Sequence, residues 1–308
     1  MRFSIVTPSY NQARFLEQTI RSVLDPAHPP YEYFVMDGGS TDSSVEIIKK
    51  YAGQLTAWVS EKDKGQADAI NKGLSQASGD IVAWLNSDDF YMPGALEKVR
   101  LAFEQNPRAG LVYGNVLSVN AEGKSFNLQV FHQIGLLDLM TFHIISQPAV
   151  FMRRAMLDQV GLLDPSYHCL LDHHLWLRMA RIAPVVYIPE TLAAARYHAE
   201  AKNVARTAEF GREAFRIVDW MQSNHEFSEL FEQNKAKILG GVNRFDAFYL
   251  VDGGKYRSAL AAYWRAFKFS PPTALKDWHR VIYIFLAMLG LQNLRSIYMR
   301  LRKSLKNQ

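Results

Sequence analysis

The opening third of the chain repeats one construction: a short apolar run breaks into a polar cluster, and an amphipathic stretch follows. Phe3–Thr7 gives way to Pro8-Ser9-Tyr10-Asn11, Tyr33–Met36 to Asp37-Gly38-Gly39-Ser40, and Ile81–Leu85 to Asn86-Ser87-Asp88-Asp89. Strand-like runs alternating with helical patterns predict an α/β fold with a largely parallel sheet. Open sheets of that kind bind ligands just past the carboxyl ends of their strands. Decorative surface turns would have no reason to gather acids and glycines repeatedly at that edge.

The intervening stretches read as helices by their apolar period. Arg14–Leu24 carries a stripe of Phe15, Thr19 or Ile20, and Val23. A second helix follows Asp42, a plausible N-cap, with Val45, Ile48 and Tyr51 on one face. Gln66–Ala77 turns Ala67, Ile70, Leu74 and Ala77 inward and is stopped by Ser78-Gly79-Asp80. Further strands are expected at Ala57–Val59, Leu111–Tyr113, Ala149–Met152 and Val185–Ile188. From about residue 203 only helical patterns remain, so the expected organisation is an α/β domain over 1–202 and a helical region over 203–308. Within the latter, Ala247, Gly254, Ala259, Tyr263, Ala266 and Pro271 match one tetratricopeptide-like hairpin and equally a generic amphipathic pair.

Composition bounds the reading. At 308 residues the chain can hold one large core, or a large and a small domain. The single Cys169 excludes an internal disulfide, and no Cys/His spacing suggests zinc, which fits a reducing, cytoplasmic setting. Phe3–Thr7 is too short for the apolar core of a signal peptide, and Val281–Leu289 has about half the length of a spanning helix. Net charge is +5, but residues 275–308 alone carry +6, so the main body is nearly neutral and offers no nucleic-acid surface. The basic tail places Leu294, Ile297, Leu301 and Leu305 on one stripe, with Arg295, Arg300, Arg302, Lys303 and Lys306 on other faces. Such a helix suits an anionic membrane surface, and equally a helix packed on the domain with a solvated basic face.

The most informative segment is Ile81–Asp89. A buried strand that delivers adjacent carboxylates to a sheet edge can hold a hard divalent cation while leaving room for substrate phosphates. The same aspartates could instead start a turn, or cap a helix running into Met92-Pro93-Gly94.

Taken in order, the segments Ser4–Asn11, Asp37–Asp42, Glu61–Gln66, Asp68–Gly73, Gly79–Asp89, Gln147–Arg154 and Leu171–Arg178 resemble the family-2 glycosyltransferases over about two-thirds of the chain. The resemblance implies a GT-A fold, a Rossmann-like, mostly parallel sheet flanked by helices, and inverting transfer of a sugar from a nucleotide-diphosphate donor to an acceptor hydroxyl. It implies a Mn2+ or Mg2+ cofactor, with Asn86-Ser87-Asp88 at the Asp-x-Asp position. Asn86 departs from the first Asp, so the expected ligands are Asp88 and Asp89, the latter as ligand or orienter, with His198 completing the shell. By the same resemblance Asp37 meets the nucleobase or ribose. Thr7, Pro8, Tyr10, Gly65, Asp68, Asn86, Ser87 and Arg196 contribute to the donor pocket. Asp172 is the expected base, with His173 and His174 as rivals; Gln147, Arg153 and Arg154 could face phosphates or acceptor.

The implied partners are a UDP-, dTDP- or GDP-type sugar donor and a saccharide or lipid-linked saccharide acceptor. The setting would be bacterial-type surface polysaccharide or glycolipid synthesis, at the inner face of the membrane. Two alternatives stay open. A sugar-1-phosphate nucleotidyltransferase would want a glycine-rich basic loop where Thr7-Pro8-Ser9-Tyr10-Asn11 stands. A non-catalytic nucleotide-sugar-binding protein would keep Asp37 and Asp88 and need no base.

Overall fold

The computed structural model describes residues 1–25, 31–198 and 206–291, which separate into two compact units. The stripe expected over Leu294–Leu305 lies outside the described residues. The first unit comprises Met1–Leu139 and Ile144–Ala201. Its sheet begins with β1 (Phe3–Ser9), β2 (Glu32–Asp37), β3 (Ala57–Ser60) and β4 (Ile81–Trp84), followed by the two-residue β5 (Phe90–Tyr91). It is completed by β6 (Leu111–Asn120), β7 (Ser125–Gln129), β8 (Val150–Arg153) and β9 (Val185–Tyr197). The spatial order is β3-β2-β1-β4-β8-β6-β9-β5, with β7 paired to β6. The β3-β2-β1-β4 half is parallel; β8 runs antiparallel between β4 and β6. The chemistry-bearing clusters therefore share an edge: Ser9 pairs with Asp37 and Asp37 with Ser60.

Helices α1 (Ala13–Val23), α2 (Ser44–Tyr51), α3 (Gln66–Gln76), α4 (Ala95–Gln105), α5 (Leu136–Met140), α6 (Arg154–Val160) and α7 (Leu171–Ile182) join these strands. α1 buries Phe15, Leu16, Thr19, Ile20 and Val23, the i, i+1, i+4, i+5, i+8 face of an amphipathic helix. Asp42 serves two helices: Oδ2 accepts from Ala13 N–H of α1 at 3.0 Å, and Oδ1 accepts from Ser44 N–H of α2 at 2.9 Å. α3 lies so close to β1 that a Cβ on Gly73 would collide with the Val6 side chain. An alanine there would overpack the core at a cost of about 1–3 kcal/mol.

β9 is much longer than the expected Val185–Ile188. Pro189 suggests a strand end because it cannot donate to a ladder. The ladder instead resumes after an irregularity, from Tyr113–Tyr187 to Asn115–Thr191, and runs on to Asn120–Tyr197. Gly114 permits this: a Cβ there would lie 2.5 Å from Glu190 O and 2.7 Å from Leu192 Cγ. The bulged continuation then pairs with β5, Phe90 opposite Ala194 and Tyr91 opposite Ala193. That pairing carries the end of β9 to the junction after β4.

The second unit comprises Met140–His143 and residues from Lys202 onward. Its helices run Thr207–Ser223, Ser228–Asp252, Tyr256–Phe269, Pro271–Leu275 and Trp278–Met288. Ala247, Val251, Ala259, Ala262, Tyr263 and Ile284 share a core, and Gly254, at φ +71°, makes the turn between the second and third helices. The expected hairpin spacing thus marks an antiparallel-type helix connection whose small residues allow close packing.

Candidate active site

The strand-end cluster of β2 is built around Asp37, which is buried. Its Oδ2 accepts from Gly39 N–H at 3.1 Å, Ser40 N–H at 2.9 Å and Ser60 O–H at 2.7 Å, while Oδ1 accepts from Ser40 O–H at 2.5 Å. The carboxylate is an Asx turn closing onto Gly39, whose φ of +81° suits glycine. Asn11, in the left-handed region at φ +52°, ties the neighbouring loop to this one by accepting Thr41 N–H at 2.8 Å. Ser40 Oγ returns the tie by accepting Asn11 N–H at 2.7 Å.

The end of β4 is built differently. The Asn86 side chain is held on both sides: its Oδ1 accepts from Gln66 Nε2 at 2.7 Å, and its Nδ2 donates to Gln147 Oε1 at 3.1 Å. Gln147 is itself fixed by donation to Trp84 O at 2.8 Å. Asn86 Nδ2 also reaches Asp89 Oδ2 at 3.4 Å. This explains the departure from aspartate: a carboxylate here would turn acceptor oxygens toward those of Gln147 and Asp89, with no donor between them.

Asp88 and His198 are brought together across the sheet, Asp88 Oδ2 lying 3.0 Å from His198 Nε2. The imidazole packs against the Phe15 ring, centroids 5.0 Å apart. Asp89 points elsewhere. It is 6% exposed, and its Oδ1 accepts the backbone N–H of Arg196 at 2.9 Å. Burial first, and then the charge of Asp88, push the Asp89 carboxyl well above the usual carboxylate range. Of the two expectations for Asp89, ligand or orienter, its bond to the Arg196 backbone fits the second.

Would this set hold a divalent cation? Asp88 Oδ2 and His198 Nε2, 3.0 Å apart, are a carboxylate oxygen and an imidazole nitrogen that could both serve as ligands to a divalent cation. No group of three acidic, histidine or cysteine side chains that could hold a metal occurs among the described residues. An oxygen and a nitrogen donor together fit a divalent cation, for which diphosphate and water would supply the remaining ligands.

Several expected donor residues take other places. Thr7 is wholly buried, its hydroxyl 3.0 Å from Tyr33 Oη, so its side chain points into the core rather than the pocket. Pro8 is buried within β1 opposite Met36, whereas Tyr10 is 60% exposed. Ser87 is buried and its carbonyl accepts from Thr19 Oγ at 2.9 Å. Asp68 accepts Lys64 N–H at 3.0 Å and pairs with Lys72 at 3.5 Å, bracing the loop at Gly65, where φ is +111°. Hydrogen bonding from Lys64 and the charge of Lys72 hold the Asp68 carboxyl below its usual range. The Arg196 guanidinium, expected at the donor, is committed to protein acceptors: Asp88 O, Asn120 O, Ala121 O and Gln18 Oε1.

Arg153 and Arg154 are braces too. The first donates to Ala109 O over the Phe103 ring; the second reaches Asp158, Leu74 O and Ala77 O. Asp172 stands in the first turn of α7, half-buried, with Oδ1 accepting His173 N–H at 2.7 Å. His173 is no rival base: burial drives its pKa down to about 4, and Nε2 lies 3.0 Å from Leu139 O, the geometry of a neutral imidazole donating to a carbonyl. His174 is buried and stacks on Tyr167, ring centroids 4.6 Å apart. Phe15, Gln18 and Thr19 at the junction were not singled out as site residues; the period placed Phe15 and Thr19 only on a core-facing stripe.

Comparison with known proteins fits this architecture. The model of the glycosyl transferase family 2 matches residues 4–161. An uncharacterized glycosyltransferase of Rickettsia conorii is 24% identical over 83% of this chain and 43% of its own length. Bacillus subtilis YwdF, also an uncharacterized glycosyltransferase, is 26% identical over 78% of this chain and 90% of its own. B. subtilis TuaG, a candidate teichuronic acid biosynthesis glycosyltransferase, is 40% identical over 31% of this chain and 39% of its own. The chain spans 43%, 36% and 34% of the first curated relatives it matches. Among solved structures, S. aureus TarS residues 1–349 superposes with a TM-score of 0.63 at 16% identity, covering 97% of this chain and 92% of that one. A Pyrobaculum calidifontis mannosyltransferase, solved with GDP-Man and Mn2+, gives 0.59 at 17% identity, covering 96% and 84%. The fold is that of the GT-A glycosyltransferases, and with more than half of its length matched, the chain belongs to glycosyl transferase family 2.

Proposed function

We propose that the chain is an inverting, metal-dependent glycosyltransferase that takes a UDP-, dTDP- or GDP-linked sugar and extends a saccharide or lipid-linked saccharide of a bacterial-type surface glycan. The observation that carries the reading is the Asp88–His198 pair, 3.0 Å apart at the carboxyl edge of the sheet. A divalent ion held there would supply positive charge to the departing nucleoside diphosphate. Asp37, fixed by its serines and backbone amides, offers a rigid acceptor for an imide N–H or ribose hydroxyl, and Tyr10, which follows the Ser9 that pairs with Asp37, offers an exposed ring. Asp172 takes the acceptor hydroxyl's proton as the new bond forms. Its place in the first turn of α7 sets the carboxylate at the positive end of the helix dipole. In the relatives, TarS crystallises with UDP-GlcNAc and with UDP, and the Pyrobaculum enzyme with GDP-Man and Mn2+, which favours a nucleotide-sugar donor here without choosing its base.

A thermal-shift screen of UDP-, GDP- and dTDP-sugars with and without Mn2+ tests the reading. A bound donor at a hundredfold excess over Kd stabilises by about 2.7 kcal/mol. No stabilisation by any donor would remove the donor-site assignment. Asp172→Asn separates a transferase from a non-catalytic binder: transfer should disappear while donor binding persists, and unchanged turnover would remove Asp172 from its role.

The reading extends to peripheral binding at an anionic membrane surface on the cytoplasmic side. No helix among the described residues is long and apolar enough to cross a membrane. Trp278, Ile282, Phe285 and Leu289 are nevertheless exposed along one face of the last described helix and its cap, ahead of the basic tail. Flotation of full-length protein with anionic and with zwitterionic vesicles checks this. Binding to neither, or binding unaffected by Trp278→Glu with Phe285→Glu, would end the membrane assignment.

A further inference from the structure

We propose that one face of α1, formed by Phe15, Gln18 and Thr19, works with Arg196 as a clamp that fixes the Asp88–His198 pair. All four are positioning residues rather than ligands. The inference rests on the reading of that pair as a cation site.

The turn that carries Asp88 is closed locally by Asp89 N–H donating to Asn86 O at 3.1 Å, a bond that shapes the turn but does not orient it. Orientation comes from outside. Thr19 Oγ lies 2.9 Å from Ser87 O and 2.7 Å from Asp89 O, so one buried hydroxyl bridges the carbonyls on either side of Asp88. The carbonyl between them, that of Asp88, accepts Arg196 Nε at 2.9 Å. Three consecutive carbonyls are thus held by two side chains, one from α1 and one from the far end of β9.

Arg196 is held in turn. Nη2 donates to Gln18 Oε1 at 2.7 Å, and Nη1 donates to Ala121 O at 2.9 Å and Asn120 O at 3.2 Å. The guanidinium lies over the Phe15 ring at 4.7 Å and the Phe90 ring at 5.6 Å. Phe15 also backs the His198 ring. Residues 15, 18 and 19 share one helix face by their three- and four-residue spacing, so α1 presents the clamp as a unit.

The chemistry favours positioning over a plain structural role. A buried guanidinium ordinarily takes a carboxylate. Arg196 makes no ion pair to Asp88 or Asp89 among the described residues, and is parked on carbonyls and a neutral amide while its backbone N–H takes Asp89. The Asp88 carboxylate stays out of the arginine's grip, facing His198, where a competing side-chain cation would defeat metal binding.

The test is Mn2+ binding read as free-ion EPR signal, with excess UDP and again with excess GDP, on the full chain. Thr19→Val and Arg196→Lys should weaken Mn2+ on the order of 10-fold, the lower end of the effect of outer-shell partners on metal affinity. Gln18→Leu, at an exposed position, should weaken it less, and Thr19→Ser, which keeps the hydroxyl, should bind as wild type. Thermal unfolding of each variant without metal guards against mere misfolding: the isosteric Thr19→Val should stay folded while losing affinity. Wild-type affinity in both Thr19→Val and Arg196→Lys, or equal loss in Thr19→Ser and Thr19→Val, would overturn the clamp. Asp88→Asn separates the two layers. If it binds Mn2+ as wild type does, or if wild type binds none with either nucleotide, the cation site falls and the clamp with it. If Asp88→Asn loses the ion and the clamp variants do not, only the clamp falls.

Discussion

The carboxyl ends of β2 and β4 each present an aspartate to the same sheet edge, and the protein treats the two in opposite ways. Asp37 has both oxygens occupied by donors from its own turn and from Ser60. Asp88 has its backbone immobilised and its carboxylate turned to a single imidazole. A carboxylate surrounded by fixed donors is a rigid landmark, suited to reading the shape of a ligand. One left facing a lone imidazole has coordination capacity to offer, suited to an ion that arrives with its substrate. Histidines repeat the contrast: His198 stands at the open end beside Asp88, whereas His173 is sealed against Leu139 O.

The largest expected effect breaks the comparison at its open end. Asp88→Asn should weaken Mn2+ by more than the roughly 100-fold that loss of an outer-shell partner can cost, while unfolding free energy without metal shifts by no more than about 0.5 kcal/mol. Isothermal titration and chemical denaturation of the same sample measure both. Next is the sealed histidine. Its folded pKa of about 4 lies below the unfolded value of about 6.5, so the unfolded state binds the extra proton between them. The contribution of the neutral ring is full above pH 6.5 and lost as pH falls toward 4, by up to about 3 kcal/mol. His173→Gln keeps a donor for Leu139 O without titrating, and should flatten that acid limb in denaturation curves; an unchanged slope would contradict the burial argument.

Asp37→Asn attacks the closed end. It places an amide donor against the donors of Gly39, Ser40 and Ser60, which should cost about 1–3 kcal/mol in denaturant unfolding. A stability effect no larger than that of Asp88→Asn would erase the distinction between the two strand ends. The smallest effect is Lys72→Ala at the half-exposed ion pairs with Glu61 and Asp68, expected to cost a few tenths of a kcal/mol by thermal unfolding.

Much of this was legible in the residues. The strands β1, β2 and β4 of the parallel half fall where apolar runs predict them, within one or two residues, because each is buried on both faces and leaves a continuous apolar record. Asp42 was readable as a helix-start residue because short polar side chains favour such positions, although the N-cap of α2 is Ser43, and the second duty of Asp42 to Ala13 crosses between loops and leaves no local sign. The length of β9 was illegible. Pro189 argues for a strand end, and only Gly114 on the neighbouring strand makes room for the bulge that carries β9 onward. Thr7 and Arg196 were misplaced for a related reason: proximity to a motif says nothing about which side of the sheet a side chain faces, or which acceptors reach it first.

By itself, then, the sequence determined where the strands of the parallel half run, which clusters meet at one edge, and which acids are candidates for chemistry there. Period and turn chemistry are local and survive in linear order. Only the tertiary structure decided that Asp89 turns inward, that Asn86 is held between two glutamines, and that Thr19 and Arg196 grip the junction from opposite sides. Those choices depend on the register of β9 against β5 and β6 and on the seating of α1 beneath them, relations between residues far apart in the chain that no local pattern encodes.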